Sequence, residues 1–351
     1  MAANIKRLAY FETWIDPVAE RNLAARDDIE LVRLTFAAPQ SDTWRELGLA
    51  HGYQILPRGD LREPWFGTAA LIAKCPRLLA ICSTGAGYDM VDVEACTKAG
   101  IIVASQTGTN KEAVAEHALG LMLALSKKIA ITDKALRSGR EVDRYAFTGN
   151  DILGKTVGIV GIGQIGTRVA ELCGGLMRMT VLACDPYLTA EQVEARGAQK
   201  VELDELLARS DFVTVHTPRN TETLGMFGRT QFARMKPTAF FLNTARGGIH
   251  EEDALAQALG QGQLAGAGLD VFLIEPPPAD HPLLAFDTVI ASPHIAGVTH
   301  EAMHEMARAA AEQWVEIFAG QVPPRLVNPE AWPRYTERFA EQLGFRPAAL
   351  A

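Results

Sequence analysis

The sequence predicts an α/β protein of two domains, the larger one a doubly wound parallel sheet. Three observations carry that expectation. Its 351 residues suggest about two domains at roughly 150 residues each. Short apolar runs alternate with helical stretches in two series, one on each side of a long apolar helix pattern. The runs of the second series are apolar at nearly every position, as strands covered by helices on both faces must be.

In chain order, the first series reads RLAYF (7–11), IELVRLTF (29–36), YQIL (53–56), LLAICS (78–83) and IIVAS (101–105). It forms a small α/β unit of parallel strands. Ala113, Val114, His117, Leu121, Leu125 and Ile129 then recur at helical spacing, with Asn110 in the N-cap position. One helix over 110–130 is expected, buried between domains or subunits. After Gly154 come TVGIV (156–160), TVLAC (180–184), DFVTVH (211–216), AFFLN (239–243), GAGLDVF (266–272) and TVIAS (288–292), six strands in all. A last helix is expected from Glu301 to Ala319, crossing back to the first domain. The Pro-punctuated end keeps Trp332, Tyr335 and Phe339 at helical spacing, which suits docking. The expected domains are thus 106–298, and a discontinuous one of 1–105 plus 299–351.

Charge and cysteine usage exclude several function classes. Lys and Arg number 34 against 42 Asp and Glu, a net charge of −8, and such a surface repels phosphate backbones, so nucleic acid is a poor partner. The five cysteines are odd in number and form no CxxC pair, which argues against a disulfide framework and against zinc. No run approaches the ~18 apolar residues of a spanning helix, and MAANIKRLAY lacks the apolar core of a secretion signal. The expectation is a soluble, cytoplasmic protein without membrane contact or metal. His250, Glu251, Glu252 and Asp253 resemble metal ligands, but they stand at a helix start, where acids complement the dipole.

GIVGIGQIG places Gly161, Gly163 and Gly166 between a strand and a helix. Gly161 permits the tight turn, Gly163 lets backbone approach a pyrophosphate, and Gly166 lets the helix pack close to the strand. The helix start then offers free N–H groups and a positive dipole end to phosphate. Asp185 ends the next strand, where a carboxylate accepts both hydroxyls of a ribose and repels a 2′-phosphate. No Lys or Arg occurs in 185–189, so NAD is favoured over NADP.

Three polar residues follow predicted strands on the carboxyl side of this sheet, where such folds bind ligands. They are Arg246 in NTARGG, Glu275 before three prolines, and His294 in SPHIAG. Together they supply one group of each kind that carbonyl chemistry needs.

With these motifs the chain resembles the D-isomer-specific 2-hydroxyacid dehydrogenase family, most closely its 3-phosphoglycerate dehydrogenase-like branch. The resemblance runs from about Pro76 to Ala319 through STGAGYDMVD, AVAEHALGLML, GIGQIG, HTPRNTETLGMFG, NTARGG, GLDVF with Glu275-Pro276, and SPHIAG. It implies a Rossmann domain binding NAD and a smaller flavodoxin-like substrate domain. It implies Arg246, Glu275 and His294 as the catalytic trio. Cofactor contacts are implied at Gln164, Ile165, Asp185, Thr217, Pro218, Thr244, Ala245, Arg246, Asp270, His294, Ala296 and Gly297, beside the loop glycines. The substrate is a small 2-oxo or 2-hydroxy acid, such as 3-phosphoglycerate, hydroxypyruvate or glyoxylate. Arg246 would hold its carboxylate and carbonyl through a planar fork. His294 would give a proton to the carbonyl oxygen, and Glu275 would fix the ring's tautomer and favour its charged form.

In the first domain, backbone N–H groups of Gly85, Ala86 and Gly87 are expected to hold the substrate carboxylate, with Asn110 a further substrate-side residue. The rival account of the turn is glycine used only for positive φ. Arg58 reads as an exposed loop residue, with phosphate contact the alternative. The family also implies a homodimer through the 108–130 helix, with a tetramer as the alternative. Two rival functions remain at this stage. One is an NAD(H)-sensing corepressor-type binding protein, against which the complete trio weighs. The other is a formate-type enzyme, for which Gln would be expected in place of Glu275.

Overall fold

The computed structural model describes residues 5–56, 60–139 and 143–350; Arg58 lies outside them. The chain divides into two compact units, one of Met1–Asn110 with His300–Ala351 and one of Lys111–Thr299.

The first unit runs β1 (Lys6–Phe11), α1 (Pro17–Ala24), β2 (Ile29–Leu34), α2 (Gln40–Gly48), β3 (Gly52–Ile55), α3 (Ala69–Lys74), β4 (Ala80–Ser83), α4 (Val93–Ala99) and β5 (Ile102–Ala104). Its sheet is parallel in the order β2-β1-β3-β4-β5, the flavodoxin-type arrangement. Local chemistry sets the helix ends. The Asp16 side chain accepts from Val18 N–H ahead of Pro17, and Asp92 caps α4, which Gly100 ends at φ +70°.

The second unit begins with α5 (Lys111–Ser126) and α6 (Ile129–Arg137). It continues through β6 (Thr156–Val160), α7 (Gln164–Glu171), β7 (Thr180–Cys184), α8 (Ala190–Glu194), β8 (Gln199–Lys200), α9 (Leu203–Arg209), β9 (Phe212–Val215), α10 (Arg229–Arg234), β10 (Phe240–Asn243), α11 (Glu252–Gly260), β11 (Gly266–Leu269) and β12 (Val289–Ala291). The parallel sheet is ordered β12-β11-β10-β9-β6-β7-β8. Its direction of winding reverses between β6 and β9, and ligands bind outside the carboxyl ends of strands at such a switch point. Back in the first unit, the chain ends with α12 (His300–Phe318) and α13 (Trp332–Leu343).

Each sheet is sandwiched between two apolar layers. In the first unit, one layer joins Leu8, Trp314, Phe318, Trp332, Tyr335 and Phe339, so the Pro-punctuated end is core. The other joins Phe11, Tyr53, Leu71 and Cys96. In the second unit, Phe227, Phe232 and Phe241 fill one side. Met122, Ile159, Val169 and Leu242 fill the other. All five cysteines are free. No helix among the described residues is long and apolar enough to cross a membrane.

Three expectations need correction. The single helix over 110–130 is two, because Lys128 turns left-handed at φ +56°. The segment at 149–150 takes over the hydrogen bonds of the helix end: Asn150 N–H donates to the Ser126 carbonyl and Ser126 Oγ donates to the Asn150 carbonyl, both at 2.8 Å. Asn110 does not cap α5. Its Oδ1 is buried without a hydrogen-bond partner, and the chain enters the helix from a turn in which Thr109 Oγ1 donates to the Gln106 carbonyl at 2.6 Å. The second sheet has seven strands rather than six, since the two-residue β8 is too short and polar to leave a periodic signal.

Candidate active site

The glycine turn after β6 shows three different steric demands. Gly161 has φ +87°, and a Cβ there would stand 2.7 Å from Thr217 Cγ2. A Cβ on Gly166 would meet the Gly161 carbonyl oxygen at 2.3 Å, so α7 packs against the turn only with glycine there. Gly163 faces open space and provides no side-chain cap to α7, whose first N–H groups are left for a ligand. A cleft of about 200 Å³ beside it is lined by Lys111, Gln164, Thr167, Arg168, Glu171 and Arg196, and the Arg168 guanidinium is paired with Glu112 and Glu171. Asp185 follows β7, with Oδ2 accepting from Ile162 N–H at 3.2 Å and Oδ1 from Tyr187 N–H at 3.0 Å, which aims the carboxylate beside the turn.

The remaining expected cofactor residues follow neighbouring strands along the same sheet edge: Thr217 and Pro218 after β9, Thr244 and Ala245 after β10, Ala296 and Gly297 after β12. The hydroxyls of Thr217 and Thr244 are buried yet have no hydrogen-bond partner in the protein. Such orphaned groups are costly unless a ligand or water meets them. With the open face at Gly163, they fit a bound dinucleotide.

Arg246 stands on a turn that Asn243, fully buried at the end of β10, holds from within. Asn243 Nδ2 donates to the Arg246 carbonyl at 2.9 Å and lies 3.0 Å from His250 Nδ1, while its Oδ1 accepts from Ala245 N–H at 2.9 Å. The turn presses against the next loop so closely that a Cβ on Gly247 would fall 1.8 Å from the Phe272 carbonyl oxygen.

His294 and Glu275 meet. The imidazole Nδ1 lies 2.8 Å from Glu275 Oε2, and Phe272 N–H donates to the other oxygen at 3.1 Å. A carboxylate only accepts, so Nδ1 carries hydrogen and Nε2 is the nitrogen left to exchange a proton. Burial alone would raise the Glu275 carboxyl, but the hydrogen bond and charge of His294, the Phe272 N–H and the Arg246 charge outweigh it and hold the group below its ordinary value. Glu275 is therefore ionised at neutral pH.

His294 sits at φ +56°, a strained position for histidine that the surroundings enforce. Its N–H donates to the Asp270 carbonyl at 2.7 Å. The Asp270 carboxylate, itself without exposed surface, accepts from Ser292 Oγ at 2.6 Å and from the Ile295 and Ala296 N–H groups at 2.8 Å each. Asp270, expected as a cofactor contact, is thus engaged by the loop that carries His294. His117 on α5 adds a contact from Nε2 to Ser292 Oγ at 3.1 Å.

In the first unit, Gly85, Ala86 and Gly87 form a turn in which the Gly85 and Gly87 carbonyls are held by hydrogen bonds from the protein. Ser83 Oγ donates to the carbonyls of Gly85 and Gly87, and Gln106 N–H donates to Gly85 at 2.9 Å. Neither Gly85 nor Gly87 has positive φ, and a Cβ on Gly85 would meet nothing within 4 Å, so the account based on positive φ alone is set aside. Beneath the turn, Trp314 Nε1 donates to Gln54 Oε1 at 2.7 Å, and Gln54 Nε2 to Thr84 Oγ1 at 3.1 Å.

Sequence reasoning missed the supports: Asn243, Ser292, Glu252 and His281. Asn243 and Ser292 lie inside motifs read for their neighbours, and Glu252 was explained by the helix dipole alone. Among the described residues, no group of His, Cys, Asp and Glu is placed to hold a metal ion.

The fold and site define a dinucleotide-binding α/β protein with a paired imidazole and carboxylate at the sheet's carboxyl edge. A family model described as D-isomer specific 2-hydroxyacid dehydrogenase, NAD binding domain, matches residues 119–296, and the chain belongs to this family. It is 42% identical over 260 residues to D-3-phosphoglycerate dehydrogenase of Archaeoglobus fulgidus, covering 74% of this chain and 49% of that one. The chain therefore spans about half the length of that relative. It is 38% identical over 265 residues to glyoxylate reductase of Korarchaeum cryptofilum, covering 75% and 80%. D-lactate dehydrogenase from Aquifex aeolicus, solved with NAD and lactic acid, superposes with a TM-score of 0.78 at 27% identity over 91% of this chain and 98% of that one.

Proposed function

We propose that the protein is an NAD-dependent oxidoreductase interconverting a small D-2-hydroxy acid and its 2-oxo acid. The observation that carries this reading is the 2.8 Å contact between His294 Nδ1 and Glu275, with Arg246 on the adjoining turn. The nicotinamide of NAD(H), when bound, supplies or accepts the hydride. In reduction, His294 Nε2 donates a proton to the carbonyl oxygen while Glu275 stabilises the charged ring; in oxidation the same nitrogen takes the alcohol proton. A positioned acid of this kind contributes about 10²–10⁴-fold. Arg246 holds the substrate carboxylate and polarises the carbonyl. The turn at Gly85–Gly87 binds the carboxylate through backbone N–H groups, with Asn110, whose buried Oδ1 has no partner, as a further substrate contact. The first unit is thus the substrate domain.

The names of the relatives favour glyoxylate or the 3-phosphoglycerate couple as substrate. A homodimer is supported by the exposed apolar residues Ile129, Leu136, Tyr145 and Leu153, and by α6, which buries none of its residues. The free thiols support a reducing, cytoplasmic setting, with burial pushing Cys75 and Cys96 up to about 12.

The test is a panel of 2-oxo acids (glyoxylate, hydroxypyruvate, pyruvate and 3-phosphohydroxypyruvate) with NADH and with NADPH, followed by nicotinamide absorbance. Turnover with NADH and at least one acid is expected. Tight NADH binding with no turnover across the panel would favour an NAD(H)-sensing protein instead.

A further inference from the structure

A second imidazole–carboxylate contact lies on the loop that carries Glu275. Glu252, the first residue of α11, accepts from Leu273 N–H at 2.7 Å through Oε1, and its Oε2 lies 3.2 Å from His281 Nε2. His281 is fixed in turn: Nδ1 accepts from Leu283 N–H at 3.3 Å, and the ring stands edge-on to Phe272 with centroids 5.3 Å apart. Successive amides of the segment are therefore taken by two carboxylates, Phe272 N–H by Glu275 and Leu273 N–H by Glu252.

Apolar burial does not explain how this segment keeps its shape. Phe272 is buried, but Leu273 and Ile274 are 57% and 69% exposed, so nothing apolar anchors the two residues immediately before Glu275. Gly247 packs against the Phe272 and Leu273 backbone from one side, and the Glu252 carboxylate on Leu273 N–H adds the polar contact that fixes the direction of this amide. A charge-assisted hydrogen bond to a backbone amide is stronger and more directional than a neutral one. Glu275 must place one oxygen on His294 Nδ1 within a few tenths of an ångström, and small displacements of reacting groups cost large factors in rate.

We propose that Glu252 and His281 are positioning residues for the proton-handling pair: Glu252, oriented by His281, holds the 272–275 segment so that Glu275 stays on His294 Nδ1. This rests on the reading of His294 and Glu275 given above. Were Glu252 only a partner for the helix dipole, its loss would affect stability slightly and leave the pH dependence of turnover alone.

The experiment uses the full chain with NADH and the fastest 2-oxo acid of the panel, comparing wild type, Glu252→Ala, Glu275→Gln and the double variant. Glu252→Ala is expected to lower kcat about tenfold while NADH binding, read by fluorescence, changes less than about twofold. The pH at which reduction fades should move down, in the same direction as in Glu275→Gln. The double variant should be no slower than Glu275→Gln alone, because a support has no effect once its client is gone. Losses that multiply in the double variant, or a wild-type pH profile in Glu252→Ala, would overturn the proposal. If Glu275→Gln itself leaves rate and profile unchanged, the reading of the pair fails instead. Should Glu252→Ala not melt cooperatively, His281→Ala is held to the same double-variant standard.

Discussion

The glycine turn at 161–166 and the site of Arg246, Glu275 and His294 lie on the same sheet edge but are built on different principles. The turn is a contiguous piece of backbone. Its specification is steric: Gly161 for a positive φ, Gly166 for a carbonyl at 2.3 Å, Gly163 for open space. The site of Arg246, Glu275 and His294 is assembled from three loops distant in sequence, and side chains hold it: Asn243 under Arg246, Asp270 under His294, Glu275 folded back on Phe272. A local device tolerates distant change and fails on a methyl group. An assembled one fails wherever two of its loops touch.

Substitutions that separate the two regions sharpen this contrast. The largest effect is expected from Gly247→Ala, whose added carbon would fall 1.8 Å from the Phe272 carbonyl oxygen. Either the Arg246 turn or the Glu275 loop must move, and kcat/KM should drop by about 100-fold or more while NADH binding survives. Steady-state kinetics beside a fluorescence titration would check both halves. Gly166→Ala should do the reverse, weakening NADH by about tenfold or more. Gly163→Ala should leave the melting temperature unchanged and affect NADH alone, since its new carbon meets no protein atom. Equal loss of NADH binding in Gly247→Ala and Gly166→Ala would erase the distinction between the regions.

Asp185→Ala is expected to act more moderately, lowering the preference for NADH over NADPH by about tenfold, the scale of a lost hydrogen bond to a charged group. The smallest effect concerns the fold as a whole. Burial lowers His51 and His250 to about 4, with Arg77 the next cause at His51. The unfolded chain takes up these protons near pH 6.5, before the folded one does. Their contribution is therefore complete above about pH 6.5 and lost as pH falls toward 4. Melting temperatures at pH 7.0, 5.5 and 4.5 should fall in that order; a flat profile would contradict the neutral, buried state of both rings.

The same contrast explains what was legible in the sequence. Gly161, Gly163 and Gly166 declare themselves because their reasons are local, and the strands because their apolar runs are continuous. Arg246, Glu275 and His294 were legible through strand ends and a family likeness. Their supports were not, since a hydrogen bond from Asn243 to the Arg246 carbonyl or from Leu273 to Glu252 exists only after folding. The break at Lys128 escaped for the same reason: its cause, the strap at 149–150, lies some twenty residues away. Asn110 shows the converse error, a residue of ideal capping type whose side-chain oxygen has no partner in the protein.

Hydride transfer in a single turnover, with His294→Ala saturated with NADH and mixed with the 2-oxo acid, addresses the proton donor without interference from product release. The expected rate is at least about 10²-fold below wild type, with an unchanged dissociation constant for NADH. Transfer at the wild-type rate would show that another group protonates the carbonyl oxygen, and the assignment of His294 would fall.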